Sequence, residues 1–171
     1  MAITTEKPSI KIVRKFKASP EKVWSALTQP ETLKLWMGPT DELKCPVAET
    51  DVRVGGRYHI GMQAPDGQMH DVSGAYRKVV VNRKLLYTWA WKSTPERESL
   101  VTLELRPVDG GTELTLVHEQ FFDAEARDQH EQGWNGCLAR LVQSLRHAGA
   151  RGHQRTGHST RTAAADRITA G

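Results

Sequence analysis

A long amphipathic helix near the C-terminus constrains this sequence more than any other feature. Asp123 can cap its start and Gly149 can end it, so we expect about 24 helical residues at ordinary capping preferences. Apolar side chains within it recur every three or four residues and share one stripe: Trp134, Leu138, Leu141, Val142 and Leu145. The stripe has to be buried, so the rest of the chain must supply a surface that covers it.

Two glycines interrupt the apolar half of this helix. Gly133 and Gly136 each cost roughly 1 kcal/mol relative to alanine in a helix interior. One interpretation is a kink or a close backbone contact. The other is that room is left beside Trp134 for another group. The first half of the helix, residues 124–132, is almost wholly polar.

The length of 171 residues fits a single domain that needs no disulfide or metal to hold its core. No apolar run is long enough to span a membrane, and the segment from Met1 to Pro8 lacks the apolar core of a signal peptide. We therefore expect a cytoplasmic protein. Cys45 and Cys137 fit no paired metal spacing, and buried, idle thiols in a reducing compartment are the favoured interpretation.

The net charge of +4 is unevenly distributed. Residues 150–171 contain four arginines and one aspartate and carry +3, which leaves +1 for residues 1–149. A nearly neutral folded part argues against a nucleic-acid partner. We expect one domain over residues 8–148 and a flexible basic tail over residues 149–171, to which we assign no function.

The rest of the chain is typical of strands with two short helices near the start. A first strand is expected from Ser9 to Ala18. Ser19 and Pro20 begin a short helix, and Pro30 ends it and opens a second one. From Leu43, alternating patterns and turn signals predict about six strands in succession. An antiparallel meander with one long helix against its face is an α+β arrangement.

Alternation within these strands indicates which side chains face the helix, because inward positions recur at every second residue. The predicted inward set is Tyr58, Ile60, Met62, His70, Val72, Gly74, Tyr76, Tyr87, Trp89, Trp91, Val101, Leu103, Leu105, Leu114, Leu116 and His118. Aromatic and polar groups are therefore mixed on the inner surface.

Several motifs together resemble the activator of heat-shock-protein-90 ATPase homologue family. This family is a branch of the START-like, or polyketide-cyclase-like, helix-grip superfamily. The likeness covers about residues 8–148 and rests on these segments: ASPEKVWSALTQPETLKLWM from Ala18 to Met37, VGGRY at 54–58, GAYRKV at 74–79, LLYTWAW at 85–91, GGTELTLVHEQF at 110–121 and GWNGCLARL at 133–141.

The resemblance implies a curved antiparallel sheet wrapped around the C-terminal helix, with two small helices after the first strand and a cavity between sheet and helix. It also implies a ligand-binding or partner-binding protein more than an enzyme. Eukaryotic activators carry a separate N-terminal domain that contacts the chaperone. This chain begins shortly before its first strand, so a chaperone partner is doubtful.

A cavity of the implied fold is lined mainly by apolar and aromatic side chains with a few polar groups that orient a guest. The alternative is that the tryptophans are simply core residues. The candidate ligand-binding residues are Trp36, Met62, His70, Trp89, Trp91, His118, Phe121 and Trp134.

The histidines His70 and His118 could act as general acid or base, since imidazole titrates near neutral pH. The sequence, however, shows no Ser-His-Asp or Cys-His grouping, so we assign no catalytic residue. A zinc site built from His59, His70, His118 and Cys45 would need ligands on opposite faces of the sheet. We expect no metal and no cofactor.

Three functions remain open at this point. The first is a binding protein for a small hydrophobic or aromatic molecule, such as a lipid or polyketide-like compound. The second is a cyclase/aromatase or hydrolase that uses a cavity histidine. The third is a co-chaperone-like adaptor that uses its outer face or a homodimer edge.

Overall fold

The computed structural model describes residues 7–38, 40 and 42–158, with side chains described as far as residue 146. The elements in chain order are β1 Ile10–Phe16, α1 Pro20–Thr28, α2 Pro30–Trp36, β2 Lys44–Thr50, β3 Arg57–Gln63, β4 Met69–Val80, β5 Lys84–Trp91, β6 Ser99–Val108, β7 Gly111–Glu119 and α3 Ala124–His158. The expected order of one strand, two short helices, six strands and a long helix is confirmed.

The two short helices begin where the sequence predicts. The side-chain oxygen of Ser19 accepts a hydrogen bond from the backbone N–H of Lys22 at 3.3 Å, and Pro20 occupies the first turn of α1. Pro30 likewise opens α2. A proline is tolerated there because its missing N–H has no partner in the first turn of a helix. The pair of helices packs against the core through buried residues such as Val23 and Leu33.

The seven strands of the described ranges form one antiparallel sheet in the order β1-β7-β6-β5-β4-β3-β2. The first strand pairs with the last, with Ile10 opposite His118 and Phe16 opposite Thr112. The sheet is a curled half-barrel that holds α3, which matches the predicted α+β helix-grip fold. The inner surface of the curl and the apolar stripe of α3 form the core.

Burial follows the predicted alternation on the central strands. Val101, Leu103 and Leu105 of β6 are at most 4% exposed, and Leu114 and Leu116 of β7 are at most 1% exposed. On β3 and β5, the predicted inward residues before the strand ends are also buried. His70, near the start of β4, is instead exposed, although it pairs with the buried Met62 of β3.

Strands β4 and β5 approach each other unusually closely at Gly74. A Cβ atom added to Gly74 would lie 2.0 Å from the backbone oxygen of Thr88. Tyr58 of β3 is paired with Gly74. Its hydroxyl reaches past Gly74 and donates to the same Thr88 oxygen at 2.6 Å. The Ala75 N–H donates to the Thr88 hydroxyl at 2.9 Å. The absent side chain at Gly74 is what allows Tyr58 to reach β5.

Helix α3 is longer than predicted. It runs to His158, so Gly149 does not end it. A single glycine costs only about 1 kcal/mol in a helix and stops one only when the following residues adopt another conformation. The part of the expected flexible tail beyond residue 158 lies outside the described residues.

Candidate functional site

A cavity of about 440 Å³ lies between the inner face of the sheet and the first half of α3. Its walls come from the end of α2 and the segment after it, from strands β3 to β6, from the loops after β5 and β7, and from α3. The lining residues are Met37, Leu43, Met62, His70, Trp89, Trp91, Ser93, Thr94, Arg97, Ser99, Phe121, Phe122, Ala126, Gln129, His130, Gly133, Trp134 and Cys137.

Trp89 is the centre of an aromatic cluster that forms one wall of this cavity. Its ring centroid lies 5.2 Å from that of Trp134, 5.6 Å from that of Trp91 and 5.3 Å from that of His118. Edge-to-face and tilted arrangements at such distances are the favoured geometries of aromatic pairs. The indoles therefore contact one another and still leave space beside them.

A chain of buried hydrogen bonds fixes the inner end of the cluster. The Trp134 indole N–H donates to Nδ1 of His118 at 2.9 Å. Because Nδ1 is an acceptor, the neutral His118 ring carries its proton on Nε2, which donates to the Ser99 hydroxyl at 2.7 Å. Ser99 in turn donates to the Trp89 carbonyl oxygen at 3.3 Å. His118 has 0% exposure, and both of its ring nitrogens form hydrogen bonds within this network.

His130 of α3 performs the same role for the other two indoles. Its Nδ1–H donates to the Ala126 carbonyl oxygen at 2.7 Å, so Nε2 is the acceptor. That Nε2 lies 2.9 Å from the Trp91 indole nitrogen and 3.3 Å from the Trp89 indole nitrogen, and accepts from both. The three cavity tryptophans thus have their N–H groups bonded to two neutral histidines.

Burial keeps both histidines neutral. Loss of solvation lowers the pKa of His118 well below its usual value, and the neighbouring His130 lowers it further. Loss of solvation also lowers the pKa of His130, against the opposing effect of its hydrogen bond to Ala126. Protonation of His118 would place a new N–H against the Trp134 N–H, which would break the chain of hydrogen bonds.

Acid should therefore destabilise the fold through His118. The unfolded chain takes up this proton near pH 6.5, and the folded chain only at lower pH, so the free energy of unfolding falls as the pH drops below that value. We expect a loss of about 1.4 kcal/mol per pH unit from this residue, with His130 acting in the same direction. Urea denaturation on either side of pH 6.5 measures the slope.

His118→Leu provides the control for this titration, since it removes the buried ring and should make the slope shallower. A free energy of unfolding that stays constant as the pH falls through the range below 6.5 would contradict the prediction.

The proton arrangement of the Ser99–His118 pair does not suit a nucleophile and its base. A histidine that activates serine accepts the hydroxyl proton on its free nitrogen. Here the Trp134 N–H occupies Nδ1, so Nε2 donates to Ser99. The pair holds Trp134 in place, and its geometry gives no support to His118 as a general base.

The two cysteines also have little nucleophilic character. Burial raises the pKa of Cys137 to about 12 and that of Cys45 to about 11, so both are thiols at neutral pH. The Cys137 thiol lines the cavity and donates to the Met37 carbonyl oxygen at 3.0 Å. Both cysteines are free and buried.

The cavity brings together six of the eight candidate ligand-binding residues: Met62, His70, Trp89, Trp91, Phe121 and Trp134. Trp36 does not line it. That side chain is 1% exposed, and its indole N–H donates to the Ala26 carbonyl oxygen of α1 at 2.8 Å, so it joins the two short helices. His118 lies behind the wall and contacts it through Trp134 and Ser99.

Sequence reasoning missed His130 and the residues of the cavity mouth. His130 lies four residues before Trp134, so it continues the helical stripe toward the N-terminus of α3. That spacing is a signal that could have found it. Arg97 lies in the loop between β5 and β6. A loop has no periodic pattern that shows which of its side chains face the cavity.

Within the described ranges, no group of three or more His, Cys, Asp or Glu side chains could hold a metal ion. None of the helices described is both long and apolar enough to cross a membrane.

A curled antiparallel sheet that grips a long C-terminal helix defines the helix-grip class of START-like proteins. Within that class, the family model for Activator of Hsp90 ATPase homolog 1-like protein matches residues 17–146. The chain belongs to this family, as its sequence motifs predict. A search of curated proteins finds no significant match.

Solved structures of similar proteins share the fold. Protein CV1439 from Chromobacterium violaceum is 31% identical, with a TM-score of 0.72 over 78% of this chain and 94% of that one. The AHSA1 protein from Silicibacter pomeroyi is 28% identical, with a TM-score of 0.71 over 81% of this chain and 97% of its own. A Nitrosomonas europaea protein with 24% identity and a TM-score of 0.72 covers 86% of this chain and 99% of its own, and is similar in fold.

Proposed function

We propose that this protein binds a small hydrophobic or aromatic molecule, such as a lipid or polyketide-like compound, between the sheet and α3. The observation that carries the proposal is the cavity of about 440 Å³ beside the tryptophan cluster. Ligand sites in proteins are typically pockets of about 300–1,000 Å³ with apolar walls and a few polar groups. The family, whose fold often binds hydrophobic ligands, is consistent with this function.

The chemistry of the walls favours an apolar guest. Trp89, Trp91 and Trp134 bond their N–H groups to histidines, so they present ring surface to the cavity and no free indole donor. Met62 and Phe121 add further apolar surface and are at most 4% exposed. A guest would gain about 25 cal/mol for each Å² of its apolar surface removed from water.

Gly133 leaves part of this space open. It lines the cavity, and a Cβ atom added to it would have nothing within 4 Å. This fits the interpretation that the glycine leaves room beside Trp134. The position therefore accepts a Cβ atom without a clash against the protein.

The proposed location is the cytoplasm, since two free, buried thiols suit a reducing compartment.

A larger side chain at Gly133 should weaken binding and keep the fold. Isothermal titration calorimetry with 2-naphthylmethanol and with 1-decanol measures binding of an aromatic and an alkyl guest. We expect the probe that binds wild-type protein to lose at least about tenfold in affinity in Gly133→Leu, because the leucine occupies the space of the guest.

Gly133→Ala is the matched control, because it makes the same loss of glycine with only one added carbon and should keep most of the affinity. Native mass spectrometry of protein purified without denaturant identifies any retained molecule directly. Equal affinity in wild-type protein and Gly133→Leu would overturn the proposed site.

A further inference from the structure

The mouth of the cavity has a different chemistry from its inner walls. The exposed lining residues are Ser93, Arg97, Phe122, Gln129 and His70, whereas Trp89 and Trp134 are buried and Trp91 is partly buried. Among the described residues that line the cavity there is no aspartate or glutamate, and Arg97 is the one lysine or arginine. The opening therefore carries a positive charge that no acidic lining residue offsets.

Arg97 is held at the mouth by a specific contact. Its guanidinium carbon lies 3.8 Å from the centroid of the Phe122 ring, a cation–π geometry. Stacking on a ring uses the face of the guanidinium and leaves the N–H donors at its edge directed outward. Phe122 follows β7 and Arg97 precedes β6, so the pair bridges two loops at the rim.

The acidic neighbour of Arg97 competes weakly for these donors. The Nε of Arg97 lies 4.0 Å from a carboxylate oxygen of Glu96, whose side chain is 71% exposed. An exposed ion pair at this distance contributes little free energy. A guest carboxylate can form shorter, paired hydrogen bonds with the planar guanidinium.

The inner end of the cavity would not accept a charge. His118 and His130 accept hydrogen bonds there, and Ser99 donates to the Trp89 carbonyl oxygen. An anion buried against these groups would have no donor to satisfy it, which is costly in an apolar site. An anionic guest can therefore bind in one orientation only, with its charge at the mouth.

We propose that the guest is a monocarboxylate with an apolar body, whose carboxylate is bound by Arg97 at the mouth and whose body lies against Trp89 and Trp134. This inference rests on the proposed function and adds the polar group and the orientation of the guest. A fatty acid and an aromatic acid share this chemistry, and the experiment below separates them.

The test compares pairs of probes that share an apolar body and differ in the head group, which is a charged carboxylate in one and a neutral alcohol in the other. 2-Naphthoate is paired with 2-naphthylmethanol, and decanoate with 1-decanol, in calorimetric titrations of the full chain at neutral pH. We expect wild-type protein to prefer the acid over the alcohol by roughly three- to tenfold, in the aromatic or the alkyl pair, because the contact is charge-assisted and partly exposed. Higher salt should reduce that preference.

Arg97→Gln should remove the preference, because it lowers the affinity for the acid more than the affinity for the alcohol. Arg77→Gln is the matched control: Arg77 is also exposed and lies near this loop, 3.8 Å from Glu98, but it does not line the cavity. It should leave both affinities unchanged.

The failures of the two proposals differ. Alcohols that bind at least as tightly as acids, or an Arg97→Gln variant that weakens acid and alcohol equally, would overturn the carboxylate inference and leave the binding function intact. Absence of saturable binding by all four probes would overturn the proposed function and this inference with it.

Discussion

Gly74→Ala is expected to destabilise the protein by about 3 kcal/mol or more, the upper range for overpacking a core. The added Cβ would lie 2.0 Å from the Thr88 backbone oxygen, and both atoms belong to paired strands that cannot separate without loss of ladder hydrogen bonds. The shift would also disturb the 2.6 Å hydrogen bond from the Tyr58 hydroxyl to that oxygen. Urea denaturation followed by far-UV circular dichroism measures the change.

The same substitution at Gly133 provides the control, since a Cβ there meets nothing within 4 Å. Gly133→Ala should stabilise the fold by up to about 1 kcal/mol, the difference in helix propensity between the two residues. A Gly74→Ala protein as stable as the wild type would show that β4 and β5 can move apart, against the close approach described above.

His118→Leu should cost about 2–4 kcal/mol, because it leaves the buried Trp134 N–H without an acceptor and removes the donor to Ser99. The leucine keeps the site filled, so the loss reports on hydrogen bonding more than on a cavity. Removing both partners of a buried hydrogen bond is less costly than removing one. The double variant His118→Leu/Trp134→Phe should therefore be more stable than the sum of the single changes predicts.

A double-mutant cycle by urea denaturation gives this coupling. Strict additivity of the two changes would contradict the assignment of the Trp134–His118 hydrogen bond as a stabilising contact. His118→Leu alone should also lose part of the acid sensitivity of the free energy of unfolding, since the buried imidazole that titrates is gone.

The sequence was sufficient for the fold because its strongest signals are local. Serine and proline mark the start of α1, glycines mark the turns, and alternating apolar residues mark β6 and β7. The structure has the predicted element at each of these places. The end of α3 was predicted wrongly, because a glycine such as Gly149 permits a stop without requiring one.

The cavity was less predictable than the fold. Alternation places Trp89 and Trp91 on the inner face, but it cannot distinguish a residue that lines a space from one that fills it. Trp36 illustrates the limit: it is as buried as any cavity residue, yet it joins α1 to α2. Packing of α3 against the sheet brings His130 to the site, and the loop between β5 and β6 brings Arg97 there. Neither position is marked in the sequence by a pattern as clear as the alternation of a strand.

The pairing of β1 with β7 has a consequence for how this chain is made. Ile10 lies opposite His118, so β1 cannot pair with β7 until most of the polypeptide has left the ribosome. Pairings between distant segments make folding slow, and an incomplete sheet exposes strand edges that can associate with other chains. The nascent chain is thus most prone to associate with other chains in the interval before β7 is complete.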